Sequence, residues 1–240
     1  MAHKIKTTKP PILFIHGAGG GGWEWEYWKK YFVSHGYTCY APTLTGKKKN
    51  LAAVGIFDYV KELQILVQMI KQKPIIIGAS MGGFLAQKIS ELEPVAGIIL
   101  VNSAPPKNVA IGLWPTKKYS NVDDIIKWST ESTLQDTIDC MPEATKKTIL
   151  WAHPKWRDES GKVIKELRSG LLINKEKISG RVLVVAGKND VDITPQVSYE
   201  IARYYSADYY AFEGVSHVGA LLGKRWKDIA GVVKTWIENR

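Results

Sequence analysis

The chain has 240 residues, 45% hydrophobic and 23% charged, a composition that fits one compact domain with an insertion. No apolar run reaches the ~18 residues of a membrane span, and the polar, basic stretch 1–11 lacks the apolar segment of a secretory signal, so a cytoplasmic protein with no membrane span is expected. The net charge of +10 comes from 33 Lys and Arg against 23 Asp and Glu. Its lysines are scattered, the dense run Lys47-Lys48-Lys49 reads as a loop, and no nucleic-acid-binding module is present, so no nucleic-acid partner is expected. The two cysteines, Cys39 and Cys140, give no disulfide framework.

Short β-branched runs alternate with helical patterns along the chain, which indicates a parallel sheet with crossover helices. A strand is expected over 12–16, after Pro10-Pro11, which cannot serve central-strand pairing. A helix over 24–35 and a strand over 38–42 follow. In the next helix, 58–72, Val60, Leu63, Val67 and Ile70 recur at helical spacing and mark the face toward the sheet. Then come a strand over 74–78, a helix over 81–91 and a strand over 97–102. The alternation resumes with a strand at 181–186, a helix at 194–204, a strand at 208–212 and a helix at 226–238. In that last helix Ile229, Val233 and Ile237 share one face. The nearly continuous apolar strands require a sheet covered on both sides. The expected fold is α/β, a mostly parallel sheet of about six strands flanked by helices.

Between them, residues 105–177 show no convincing strand. Helical patches at 122–130, 131–140, 144–152 and 163–172 and several tryptophans suggest a helical cap inserted into a core made of 1–104 and 178–240. The cap is expected to pack over the carboxyl edge of the sheet, where open α/β sheets bind ligands. Trp114, Tyr119, Trp128, Trp151 and Trp156 are its candidates to line an apolar pocket. Trp23, Trp25 and Trp28 follow the glycine loop, and one of them is expected to border that pocket.

The pentapeptide Gly78-Ala79-Ser80-Met81-Gly82 stands between a strand and a helix. Small glycines on both flanks permit a tight strand-to-helix turn that exposes a serine hydroxyl. Such a hydroxyl needs a base and an anion site to act as a nucleophile. The loop Gly17-Ala18-Gly19-Gly20-Gly21-Gly22 exposes backbone N–H groups, and the expected oxyanion donors are the N–H of Met81 and that of Ala18 or Gly19. Gly17, Gly19 and Gly22 also fit the dinucleotide fingerprint, but Cys39 to Leu44 offer no carboxylate for a ribose, which argues against a nucleotide. Of the five histidines, only His217 follows a sheet strand in a short, glycine-flanked loop, so it is the candidate base. For the acid, Asp190 and Asp192 both follow the strand 181–186. Asp190 is nearer the strand end, whereas Asp192 is placed to cap the next helix. The end of strand 97–102 supplies only Asn102 and Ser103, with no carboxylate.

The order Ser80, Asp190, His217, with His16-Gly17 and its glycines, Gly78-x-Ser80-x-Gly82 and Gly187-x-x-Asp190, resembles the α/β-hydrolase fold superfamily in its serine esterase and lipase-like branch with a helical cap. The likeness covers 12–100 and 181–240. It implies hydrolysis of a small to medium carboxylic ester through an acyl-serine intermediate, with no metal and no organic cofactor. Serine at position 80 argues against the dehalogenase and epoxide hydrolase branches, which use aspartate there. The same triad also serves hydroxynitrile lyases, carbon–carbon bond hydrolases and perhydrolases, and the fold serves some non-catalytic receptors. The expected partner is a small-molecule ester; nothing in the sequence specifies an oligomeric state.

Overall fold

A computed structural model describes residues 9–107, 109–114 and 122–239. Its strands are β1 (Ile12–Ile15), β2 (Cys39–Tyr40), β3 (Ile75–Ala79), β4 (Gly97–Val101), β5 (Ile125–Ile126), β6 (Glu159–Ser160), β7 (Arg181–Gly187) and β8 (Asp208–Phe212). The helices that follow the first four strands or lie between them are α1 (Glu26–Ser34), α2 (Ile56–Met69) and α3 (Met81–Leu92). Four short ones, α4 (Trp128–Glu131), α5 (Leu134–Cys140), α6 (Lys146–Ala152) and α7 (Gly161–Ser169), fill the stretch before β7. The chain closes with α8 (Pro195–Tyr205), α9 (Gly219–Leu222) and α10 (Trp226–Glu238).

Six strands form one sheet in the order β2-β1-β3-β4-β7-β8, with every neighbouring pair parallel. The two-residue period of a strand divides the core in two. Leu13, Ile15, Ile76, Ile98 and Leu100 pack with α2, α3 and α8 on one side. Ile12, Phe14, Ile77, Ile99 and Val185 pack with α1, α9 and α10 on the other. Each strand is therefore apolar at nearly every position, because both of its faces are covered. The chain runs outward from β1 to β2 and returns to the opposite side of β1 at β3. The strand order reverses between β1 and β3, and the crevice at their carboxyl ends is where such sheets hold ligands.

The segment between β4 and β7 departs from the expectation of helices alone. β5 and β6 pair antiparallel, Ile125 opposite Ser160 and Ile126 opposite Glu159. Two-residue strands are too short to show alternation, so the sequence gives no sign of them. The helix expected over 122–130 starts only at Trp128, because Ile125 and Ile126 are spent in β5. Similarly, the start of the helix expected at 24 is a tighter 3-10 turn, Gly22–Trp25, before α1. The strand expected over 38–42 contracts to two residues at the sheet edge. Among the described residues no helix is long and apolar enough to cross a membrane.

One contact sets how closely α3 can lie against the sheet. A side chain at Gly82 would collide with the carbonyl oxygens of Ile15 and His16 at the end of β1. Gly82→Ala is thus expected to push α3 off β1 and to destabilise the fold by about 1–3 kcal/mol, the scale of overpacking in a close-packed interior. Urea unfolding of the variant beside the parent protein measures this; an unchanged midpoint would mean that the helix has room to spare.

Candidate active site

Ser80 occupies the turn from β3 into α3 with φ 53° and ψ −120°. Positive φ is uncommon for a residue with a side chain, and such a conformation costs about 1–3 kcal/mol. The surroundings hold it in place. The Ser80 N–H donates to the carbonyls of Val101 and Asn102, both at 3.1 Å, and its own carbonyl accepts from Ala104 N–H at 3.0 Å. Strand β4 therefore clamps the turn from the side. Met81 is the first residue of α3, so its N–H has no intrahelical acceptor.

Asp190 and His217 meet directly. His217 Nδ1 lies 2.7 Å from Asp190 Oδ2. The other carboxylate oxygen of Asp190 accepts from the N–H groups of Asp192 at 2.8 Å and Ile193 at 2.9 Å, which fixes the loop after β7. Asp190 is buried and is thus oriented on both sides. Asp192 does not cap the next helix; Thr194 does, its side chain accepting from Val197 N–H. Burial disfavours the charged imidazolium of His217, but the Asp190 charge and hydrogen bond, with help from Asp192 and Glu24, outweigh it and raise the pKa to about 9.

Asn102 ties these parts together, although in sequence it stands out only for lacking a carboxylate. It is buried with φ 43°, a backbone conformation that asparagine tolerates better than most residues. Its side-chain amide donates to the carbonyl of His217 at 2.8 Å, while its Oδ1 accepts from Gly187 N–H at 2.8 Å. Its backbone carbonyl accepts from Ser80. One residue thereby links the serine turn, the end of β7 and the histidine loop. The signal available in sequence was an asparagine directly after a buried strand.

The glycine loop is held from two directions. Glu24 Oε2 accepts from Gly17 N–H at 2.9 Å. Glu159, delivered by β6, accepts from Gly19 N–H at 3.1 Å and from the Tyr59 hydroxyl at 2.7 Å. Gly20 N–H donates to Gly17 O at 3.3 Å. Of the four N–H groups from 17 to 20, only that of Ala18 lacks a hydrogen-bond partner among the described residues. The alternative donor, Gly19, is committed to Glu159. Arg157 adds a clamp, its N–H donating to Gly19 O at 2.7 Å and its guanidinium to Gly20 O at 3.2 Å and Leu44 O at 3.1 Å. His16 serves the same scaffold. Leu44 N–H donates to its Nε2 at 2.9 Å, which leaves Nδ1 to donate to Gly17 O at 2.7 Å. Burial lowers its pKa to about 4, so it stays neutral.

The aromatic candidates divide. The ring of Trp128 packs on the backbone of Gly19, beside Ala18. Trp23 meets Trp156 and Trp151 edge-on, with centroids 5.0 and 5.8 Å apart, and Trp151 stacks on Tyr27 at 6.0 Å. That cluster joins α1 to α6. Trp114 lies under the Arg168 guanidinium, 4.3 Å from ring centroid to cation. Trp25 and Trp28 are wholly buried in the core. Tyr119 lies outside the described residues. Asp190, Asp192 and His217 bring ligand-type atoms within 4.8 Å of one another, and two of the three, Asp190 and His217, are already engaged with each other.

A sequence model of the Alpha/beta hydrolase family matches residues 12–231. No curated protein sequence matches the chain. Solved structures with the same fold include a monoacylglycerol lipase from Paleococcus ferrophilus, 15% identical with TM-score 0.70, covering 95% of each chain. A pyrethroid hydrolase from Sphingobium faniae is 16% identical with TM-score 0.77 over 97% of this chain and 98% of its own. Methylketone Synthase I from tomato, complexed with 2-tridecanone, is 14% identical with TM-score 0.76 over 97% and 99%.

The raised pKa of His217 has a consequence for stability. Its folded value, about 9, lies above the ordinary 6.5. The contribution of the pair is therefore fully present below pH 6.5 and is lost as pH rises through about 9. Asp190→Asn is expected to bring the imidazole titration down and to flatten the fall in stability across that window. NMR titration of the ring and urea unfolding at a series of pH values check both; a variant whose stability profile runs parallel to the parent would contradict the assignment.

Proposed function

The chain belongs to the Alpha/beta hydrolase family, and we propose that it is a serine hydrolase that cleaves a small to medium carboxylic ester through an acyl-serine intermediate. The observation that carries this reading is the 2.7 Å contact between His217 and Asp190, joined through Asn102 to a serine held at positive φ. A strained turn at the carboxyl edge of the sheet, next to the crevice where strand order reverses, is where a serine hydroxyl can be presented to a substrate.

In this mechanism Ser80 Oγ attacks the ester carbonyl as His217 takes its proton. Asp190 fixes the imidazole with Nδ1 toward the carboxylate and Nε2 toward the reaction, and it stabilises the imidazolium that forms. The N–H groups of Met81 and Ala18 receive the oxyanion. Ala18 is favoured over Gly19 because Glu159 already occupies the Gly19 N–H. His217 then gives its proton to the leaving alcohol, and water repeats the sequence on the acyl-serine. Trp128, beside the oxyanion loop, supplies apolar surface for the acyl or alkyl group. Residues 105–177 act as the cap that selects the substrate, and the lipase and hydrolase names among the fold relatives support ester hydrolysis as the reaction class. No cofactor is needed for these steps.

A fluorophosphonate probe is expected to modify Ser80, with the site identified by peptide mapping. Modification should disappear in Ser80→Ala and in His217→Ala. On an ester that the parent protein cleaves, Ser80→Ala should lose on the order of 10⁴- to 10⁶-fold in kcat, the range seen when triad members are removed. Full turnover by Ser80→Ala would overturn the assignment. Cyanohydrins and β-diketones assayed beside the esters distinguish a lyase or a carbon–carbon hydrolase built on the same residues.

A further inference from the structure

Glu24 is a carboxyl group without a place in that mechanism, and it sits against the glycine loop. It belongs to the 3-10 turn Gly22–Trp25 and is 3% exposed. Burial of an acid is expensive unless its oxygens find donors. One oxygen receives the Gly17 N–H at 2.9 Å. The carboxyl fills the space where a side chain at Gly20 would stand. A Cβ on Gly17 would lie 3.4 Å from Ser80 Cβ and 3.9 Å from Glu24 Oε1, so Gly17 stands between the carboxyl and the serine. His217 and Glu24 also lie close enough for each to act on the charge of the other.

We propose that Glu24 is a positioning residue of this site, one that fixes the glycine loop through the Gly17 N–H and sets negative charge toward His217. The proposal rests on the serine-hydrolase reading above. With Gly17 held by Glu24, Gly19 by Glu159 and Gly20 by Gly17 O, Ala18 keeps the one N–H of that stretch without a partner among the described residues, so an oxyanion would meet a donor already in place. Facing His217 with a carboxylate favours the imidazolium that appears when the serine proton is taken. Burial raises the Glu24 pKa to about 7, against the pull of the Gly17 N–H and His217. The carboxyl is thus ionised over the alkaline range in which His217 titrates. Facing groups are few. His217 comes from the loop after β8, with Asp190 and Asp192 behind it. Cys140, at the end of α5, has a thiol pushed up to about 12 and stays neutral. Glu159 and Arg157 grip the far side of the glycine loop.

The test measures kcat and KM for an ester against pH, and the rate of fluorophosphonate modification of Ser80, in the parent protein, Glu24→Gln and Glu24→Ala. The amide oxygen of Gln still accepts from Gly17 N–H while the charge is gone. Its rising limb of kcat/KM is expected to move to lower pH by about one unit, the scale on which a nearby charge shifts a titrating group. Its plateau kcat should fall less than that of Glu24→Ala, which loses the loop contact as well. For Glu24→Ala a loss of about 10- to 100-fold in kcat is expected, as for removal of a group that organises an oxyanion site, with KM changed only a few-fold. If the Ala variant fails to fold, the Gln variant decides through its pH profile alone. A Gln limb that coincides with the parent limb, in a parent that turns over the ester, overturns the role of Glu24 and leaves the hydrolase reading standing. A parent protein inert to both ester and probe overturns the hydrolase reading, and this one with it.

Discussion

Ser80 holds a backbone conformation that its own side chain disfavours, and the rest of the site is arranged so that this turn cannot relax. The strain is of the order of 1–3 kcal/mol. Against it stand the Ser80 N–H, shared between the Val101 and Asn102 carbonyls, and the Ala104 N–H on the Ser80 carbonyl, a full bond contributing about 1 kcal/mol net. Behind the turn, α3 buries Phe84, Leu85 and Ile89, worth about 1.5–3 kcal/mol apiece. That burial locks the helix, and the close approach of Gly82 to β1 locks the start of the helix to the strand that carries the glycine loop. The Ser80 turn and the glycine loop are thus fixed relative to each other by packing.

The same end of β4 then reaches the His217 loop. Asn102 follows β4 at positive φ and turns its amide to the histidine loop on one side and to Gly187 on the other. Two adjacent strained positions, Ser80 and Asn102, are bonded to each other through the backbone. Residues held in this way are typical of places where geometry matters more than local comfort. The histidine itself is held at both ends: its carbonyl by Asn102 and its ring by Asp190. Ser216, one residue before it, is tied in turn to Glu143, which accepts from the Ser216 N–H and hydroxyl, both at 2.8 Å.

Local signals carried much of this in the sequence. The strand Asp208–Phe212 and the helix Trp226–Glu238 stand where the apolar period puts them, and the other sheet strands differ by a residue or two at their ends. Ser80, Asp190 and His217 were legible as candidates because each follows a strand that the sequence marks. What was illegible depends on partners far along the chain. Asn102 bonds to residues 85 and 115 positions away, and Glu159 reaches Gly19 across 140. Glu24 looked like one more charged residue in a helix, since nothing local says that its carboxyl turns inward. The short pair β5 and β6 has no period to display, and its role is to place Glu159 against the glycine loop. Glycine-rich loops are flexible on their own; here the stiffness is borrowed from two buried carboxyls and Arg157.

Electrostatics at the site run opposite to those of the chain as a whole. The net charge is +10, yet the groups that act on His217 are Asp190, Asp192 and Glu24, all acidic. Surface lysines are screened over about 10 Å at 0.1 M salt, whereas buried charges are screened much less. The field at His217 is therefore set largely by these acids, and it favours the imidazolium. Within the proposed reaction, the only new anion is the oxyanion, and it forms next to backbone donors rather than next to the carboxylates. A neutral ester fits that field better than an anionic one, so the basic surface of this protein does not argue for an acidic substrate.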